Sequence, residues 1–131
     1  MQVNLSDLTG QVIMISGISG QIGQMLVSTA LERGAKVLGI DVSMAEMGKA
    51  AVSQNWDINN IHMIKADIRC SSEVKVAFDS GVSRFGYVTS QINNAGVSVF
   101  SPWMDRTEEE FDLVTNVNLK GSFNCMKVFM Q

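Results

Sequence analysis

Four short runs rich in β-branched and other apolar residues punctuate this chain, each followed by a segment of helical periodicity. They are Gln11 to Ser16, Ala35 to Ile40, Ile61 to Ala66 and Val88 to Ile92. The pattern is (βα)4. Strands separated by one helix each must run parallel, because no tight turn can join parallel neighbours, and their crossovers are expected to be right-handed. The class is therefore α/β, with helices on both faces of one parallel sheet. One run is discordant. Val88-Thr89-Ser90-Gln91-Ile92 is polar where a central parallel strand is almost continuously apolar, so Ser90 and Gln91 are either partnered or mark a poorly supported strand.

The helical segments carry their own start and stop signals. In the first, Ile22, Met25, Leu26, Thr29 and Ala30 fall on one face, and Gly34 follows as a C-cap. The second opens with Ser43-Met44-Ala45-Glu46 and the fourth with Thr107-Glu108-Glu109-Glu110. Both read as capping boxes, in which hydroxyl and carboxylate each satisfy an orphan amide of the first turn. The third, after Ser71-Ser72, sets Val74, Phe78, Gly81, Val82 and Phe85 on one stripe, and Phe111, Val114 and Val117 continue the fourth. Met126, Val128, Phe129 and Met130 are still apolar, with no stop signal before Gln131, so the sequence is expected to be cut inside or at the end of a helix.

Composition removes several classes of function. With 131 residues and 46% hydrophobic side chains, the chain suits one ordered domain, residues 1–131. Ten basic against thirteen acidic residues, with no basic stripe, argue against nucleic acid. The longest aliphatic runs, such as Val12-Ile13-Met14-Ile15, fall far short of the roughly 20 residues of a membrane span. Met1 to Asp7 has neither a basic nor an apolar leader region, so no secretory signal is expected. Cys70 and Cys125 make neither a disulfide framework nor a metal spacing, which suits the cytoplasm. No metal is expected, and the nine methionines read as core fillers.

The chemistry gathers where strands end. After the first strand, Ser16-Gly17-Ile18-Ser19-Gly20-Gln21-Ile22-Gly23 opens directly into a helix; such a loop turns tightly, lets a pyrophosphate approach and aims free N–H groups at it. A glycine-rich turn with no ligand is the plainer alternative. Asp41 follows the second strand, 18 residues after Gly23, where an acid accepts ribose hydroxyls and repels the extra phosphate of NADP, favouring NAD. Alternatively it only makes a turn before Ser43. Asp67-Ile68 follows the third strand and Asn93-Asn94-Ala95-Gly96 the fourth. With strand order 3-2-1-4 all four signals share one rim, at the point where the order reverses.

These residues, with Asn116-Val117-Asn118-Leu119-Lys120-Gly121-Ser122-Phe123, make the chain resemble the N-terminal half of a short-chain dehydrogenase/reductase. The resemblance implies a Rossmann-like (βα)4 half of a doubly wound sheet and an NAD-dependent oxidoreductase moving a hydride between nicotinamide and an alcohol or ketone. It also implies that Gly17, Ser19, Gly20, Gln21, Ile22 and Gly23 bind the cofactor together with Asp41. Asp67 and Ile68 would contact the adenine, Asn94, Ala95 and Gly96 the adenosine ribose region, and Val117 the cofactor's wall. Asn118 would be the asparagine of the catalytic tetrad, kinking its helix and holding a water in a proton relay; a buried Asn tying helix to strand is the alternative.

Departures from the family pattern are equally plain. Ser16 stands where the family usually has Thr, Gln21 where it usually has Gly, and the fourth strand is unusually polar. The family's Tyr and Lys, four residues apart, have no counterpart: Tyr87 is the only Tyr, and Gln91 lies four on. This opens a second reading, a dinucleotide-binding or interaction module that turns nothing over. A methyltransferase is a third, against which the Asn93 to Gly96 and Asn116 to Gly121 elements argue. His62 reads as a satisfied strand histidine, Cys125 as core, and Trp103 as either a substrate contact or a hydrophobic anchor. An unpaired edge on the fourth strand is expected to drive self-association, as a homo-oligomer or otherwise.

Overall fold

The computed structural model describes residues 7–131; Met1 to Ser6, most of the segment read as lacking a secretory signal, lie outside the described residues. Parallel strands β1 (Val12–Ser16), β2 (Lys36–Asp41), β3 (Ile61–Lys65) and β4 (Ser90–Ile92) form a single sheet in the order β3-β2-β1-β4, as the sequence predicts. The helices between them are α1 (Gln21–Glu32), α2 (Met44–Ser53) and α3 (Ser71–Phe85). After β4, α4 (Glu108–Thr115), a π-helical turn (Asn116–Gly121) and α5 (Ser122–Phe129) follow without a break. Strand bounds differ from the sequence reading by a residue at an end or, for β4, two.

Side chains alternate across the pleat and so divide the core in two. Ile13, Ile15 and Val37 pack with Val27 and Ala30 of α1 and Met47 and Ala50 of α2. On the other face Met14, Leu38 and Ile40 pack with Val74 and Ala77 of α3 and Cys125 and Val128 of α5. Every residue of β1 is buried, which makes it the centre of the sheet.

Two local expectations are corrected. The buried face of α1 carries Gly23, Val27 and Ala30, whereas Ile22 and Met25 are 68% and 70% exposed. Gly23 sets this rotation: its backbone lies so close to Gly17 that this side of the helix must face the loop. A periodicity count cannot register a side chain that glycine lacks. Gly34 does end the helix as expected, with φ +85°; its N–H donates to Leu31 O and that of Ala35 to Ala30 O, the paired bonds of a Schellman motif. The second correction concerns α2. Ser43 Oγ accepts from Glu46 N–H, but the return bond is missing, because Ser43 N–H goes to Asp41 and the Glu46 carboxylate pairs with Lys49. At α4 the capping box of Thr107 and Glu110 is complete.

The polar fourth strand resolves residue by residue. Thr89 Oγ1 accepts from Val12 N–H at 3.0 Å and donates to Val12 O, extending the pairing of β1 beyond the three ladder residues of β4. Gln91 Oε1 is buried with no hydrogen-bond partner among the described residues, so this strand is the less well satisfied neighbour of β1. Among the described residues β4 is paired on one side only.

Candidate functional site

The strand order reverses between β1 and β4, and the loops leaving these two strands are stitched together there. Ser16 is 2% exposed, and its hydroxyl accepts the N–H groups of both Asn94 and Ala95 at 3.2 Å. Asn94 Nδ2 donates in return to Ser16 O and Gly17 O, each at 3.0 Å. A Cβ on Gly17 would meet Ala95 Cα at 2.7 Å, and its φ is +72°, so this position demands glycine twice over. A Cβ on Gly23 would stand 2.1 Å from Gly17 O. Gly20 is under no such constraint; it is exposed and lets the backbone be approached from outside.

Gly20 is also the N-cap of α1, and among the described residues no side chain caps that helix. The N–H groups of its first turn are thus left without a side-chain acceptor, at the positive end of the helix dipole. They border a cleft of about 560 Å³. Of the site residues expected from sequence, Gly17, Gly20, Gln21, Ile22, Gly23, Asp41, Asp67, Ile68, Asn94, Ala95, Gly96 and Val117 line it. Ser19 and Asn118 do not. The outward turn of Ile22, which defeated the helix-face reading, is what brings it to this cleft.

Two acids flank the cleft with different partners. Asp41 Oδ2 accepts both the N–H and the hydroxyl of Ser19, at 3.0 and 2.7 Å, and Oδ1 accepts Ser43 N–H at 3.3 Å. Asp67 is gripped by Arg69, whose Nε and Nη2 donate to Oδ2 at 2.9 and 2.6 Å. Hydrogen bonding from that guanidinium holds the Asp67 carboxyl below its ordinary value, so it is ionised at neutral pH. Sequence reasoning missed Arg69, the only cation among the residues lining the cleft. Its position two residues beyond an acid in a loop was the available signal.

The far wall comes from the long C-terminal helix. Asn118 sits in the π-helical turn, an irregularity that recurs at functional sites. Its side chain is spent on one residue, Oδ1 accepting Val97 N–H at 2.8 Å and Nδ2 donating to Val97 O at 2.9 Å. Ser122 Oγ donates to the Asn118 carbonyl at 2.9 Å. A different Asn is the buried one: Asn124 Nδ2 donates to Ile68 O, in the loop after β3, at 2.8 Å. A polar residue within the apolar run Phe123 to Met126 could have revealed it. Gly121 leaves room for Ile68, whose Cδ1 would lie 2.4 Å from a Cβ there.

The remaining candidates lie elsewhere. His62 Nε2 is 2.8 Å from Ser80 Oγ, and burial lowers its pKa, in keeping with a strand histidine. Trp103 is 78% exposed and is not among the described residues that line the cleft. Cys125 is core, its thiol pushed up to about 11 by burial. Tyr87 donates to Gly10 O, near the start of β1 rather than at the strand ends that border the cleft. Among the described residues no cluster of His, Cys, Asp or Glu could hold a metal ion, and no helix is long and apolar enough to cross a membrane.

Known proteins share this architecture. A family model described as short chain dehydrogenase matches residues 11–131. The short chain dehydrogenase/reductase nsrJ of Aspergillus novofumigatus is 32% identical over 117 residues, covering 88% of this chain and 44% of that protein. The oxidoreductase UcpA of Salmonella typhimurium is 29% identical over 126 residues, covering 96% of this chain and 48% of its own. A short chain dehydrogenase from Mycobacterium smegmatis superposes with a TM-score of 0.85 at 25% identity, covering 94% of this chain and 52% of that one. The chain thus spans about half the length of the curated relatives it matches.

Proposed function

The chain belongs to the short chain dehydrogenase family, and from that premise we propose that residues 1–131 form an NAD(P)-binding domain. It holds NAD in preference to NADP and serves hydride transfer between nicotinamide and a small alcohol or ketone. The observation that carries this reading is the convergence of an uncapped helix N-terminus, Asp41, Asp67 and the Asn94 to Gly96 turn on one cleft. The residues fit a dinucleotide. First-turn amides without a side-chain cap suit a pyrophosphate, Asp41 keeps acceptor capacity on Oδ1, and apolar Ile68 and Val117 offer walls.

When bound, the nicotinamide supplies the hydride chemistry. The chain's own part is placement. Gly17, Gly20, Gln21, Ile22 and Gly23 receive the phosphates, Asp41 orients the ribose, Asp67 and Ile68 take the adenine, Asn94, Ala95 and Gly96 the adenosine ribose region, and Val117 forms a wall. Asn118 fixes the loop through Val97 and takes the part of the family's tetrad asparagine, holding a water in the proton relay. Titration with NADH, NADPH and S-adenosylmethionine, followed by tryptophan fluorescence, is expected to give saturable binding tightest for NADH. No saturable dinucleotide binding, or tighter S-adenosylmethionine binding, would overturn the proposal.

A second reading, a dinucleotide-binding module without turnover, concerns these 131 residues taken by themselves: Tyr87, the only Tyr among them, is bonded to Gly10 and has no Lys four residues on. A phenol of pKa about 10 needs a cationic neighbour to act as acid or base near neutral pH. NADH consumption in the presence of ketones separates the two. We also propose a cytoplasmic location, since both thiols are free, and self-association through the open edge of β4. Sedimentation is expected to show an apparent mass that rises with concentration; a constant monomer mass would refute the self-association.

A further inference from the structure

Ser19 does not line the cleft but donates twice to Asp41, which does, and from this arrangement we infer that it sets nucleotide selectivity as a positioning residue, by fixing which Asp41 oxygen remains open. The inference rests on the reading of the cleft as a nicotinamide dinucleotide site. Each carboxylate oxygen accepts about two hydrogen bonds. Oδ2 receives two from Ser19 alone, at 3.0 and 2.7 Å, and is filled. Oδ1 has only the Ser43 N–H at 3.3 Å, a long bond, and keeps its capacity.

Two donors from one residue also fix the rotation of a carboxylate whose last torsion is otherwise broad. Ser19 is itself braced, because Gln24 Nε2 donates to Ser19 O at 2.7 Å and Gln24 Oε1 accepts from Gln54 Nε2 at 3.2 Å. A line of hydrogen bonds therefore runs from the C-terminal cap of α2, through α1, to the acid. A ribose hydroxyl meets an acceptor already aimed. A phosphate monoester in the same place meets a negative charge that cannot swing away, and the one cation lining the cleft is engaged by Asp67.

The test compares dissociation constants for NADH and NADPH, measured on the full chain, among wild type and the variants Ser19→Ala, Ser19→Cys, Ser19→Thr and Asp41→Ala, and the double variant Ser19→Ala/Asp41→Ala. Ser19→Ala is expected to weaken NADH about fivefold, the loss of one hydrogen bond, while NADPH is unchanged or tightens. Ser19→Cys keeps the size but is a weak donor and is expected to follow Ala, whereas Ser19→Thr restores selectivity. In the Asp41→Ala background, Ser19→Ala is expected to change nothing further. Equal weakening of both nucleotides, or a Ser19→Ala effect that persists without Asp41, would overturn the inference and mark Ser19 as merely structural. Wild type binding NADH with Ser19→Ala indistinguishable from it would overturn this inference alone. Wild type binding neither nucleotide would overturn the parent reading, and this one with it.

Discussion

Replacing Gly23 by alanine is expected to lower the stability of the chain by about 2–3 kcal/mol, although alanine is the better helix former. Propensity alone would stabilise α1 by about 1 kcal/mol. Sterics decide against it. The new methyl would lie 2.1 Å from Gly17 O, 2.8 Å from Ile18 Cα and 2.9 Å from Gly17 C, all backbone atoms. Nor can the loop retreat. Gly17 N–H is bonded to Ile40 O at 2.7 Å, its carbonyl accepts Asn94 Nδ2, and its Cα lies against Ala95. Against a total stability of about 5–15 kcal/mol the loss is large. Gly48 provides the internal comparison, since a Cβ there, within α2, meets nothing within 4 Å. Gly48→Ala is expected to stabilise by about 0.5–1 kcal/mol. Urea midpoints of the two variants should therefore move in opposite directions; a neutral or stabilising Gly23→Ala would show that the loop is not locked.

Much of this fold was legible because its signals are local. β-branched runs gave the strands, and a β-run opening into a helix through glycines gave the head of the sheet. Asn94 could be placed opposite Gly17 once the order 3-2-1-4 was assumed, and its amide indeed bonds the Gly17 carbonyl. What escaped was competition between partners distant in the chain. Ser43 and Glu46 have the spacing of a capping box, but Asp41 and Lys49 take the groups that would close it. The rotation of α1 was hidden because glycine, the residue that decides it, contributes no hydrophobicity to a periodic count. The bond from Ser19 to Asp41 spans 22 positions and leaves no mark in either neighbourhood. Asn118 and Asn124 illustrate the same limit. Two asparagines six positions apart on one helix cannot be assigned to the loops after β4 and β3 until the π-helical turn fixes their relative rotation.

Asp41→Ala is expected to weaken NADH binding by about 10- to 150-fold, the range that corresponds to about 1.5–3 kcal/mol for a hydrogen bond to a charged group. NADPH should lose far less. Its extra phosphate meets the Asp41 charge with Arg69 already bound to Asp67, so removing the carboxylate relieves a repulsion while it deletes an acceptor. The ratio of the two dissociation constants is the informative quantity. Asp41→Ala also strips Ser19 N–H and Oγ of their acceptor, which loosens the glycine loop and weakens both nucleotides by a common factor that cancels in the ratio. Asp41→Asn separates charge from shape, because it keeps an oxygen for Ser19 and removes the negative charge. It is expected to retain part of the NADH affinity and to bind NADPH more tightly than wild type does. Equal losses for both nucleotides in Asp41→Ala, with no gain for NADPH in Asp41→Asn, would reduce Asp41 to turn chemistry ahead of Ser43. Any preference for NAD would then have to lie in residues other than Asp41.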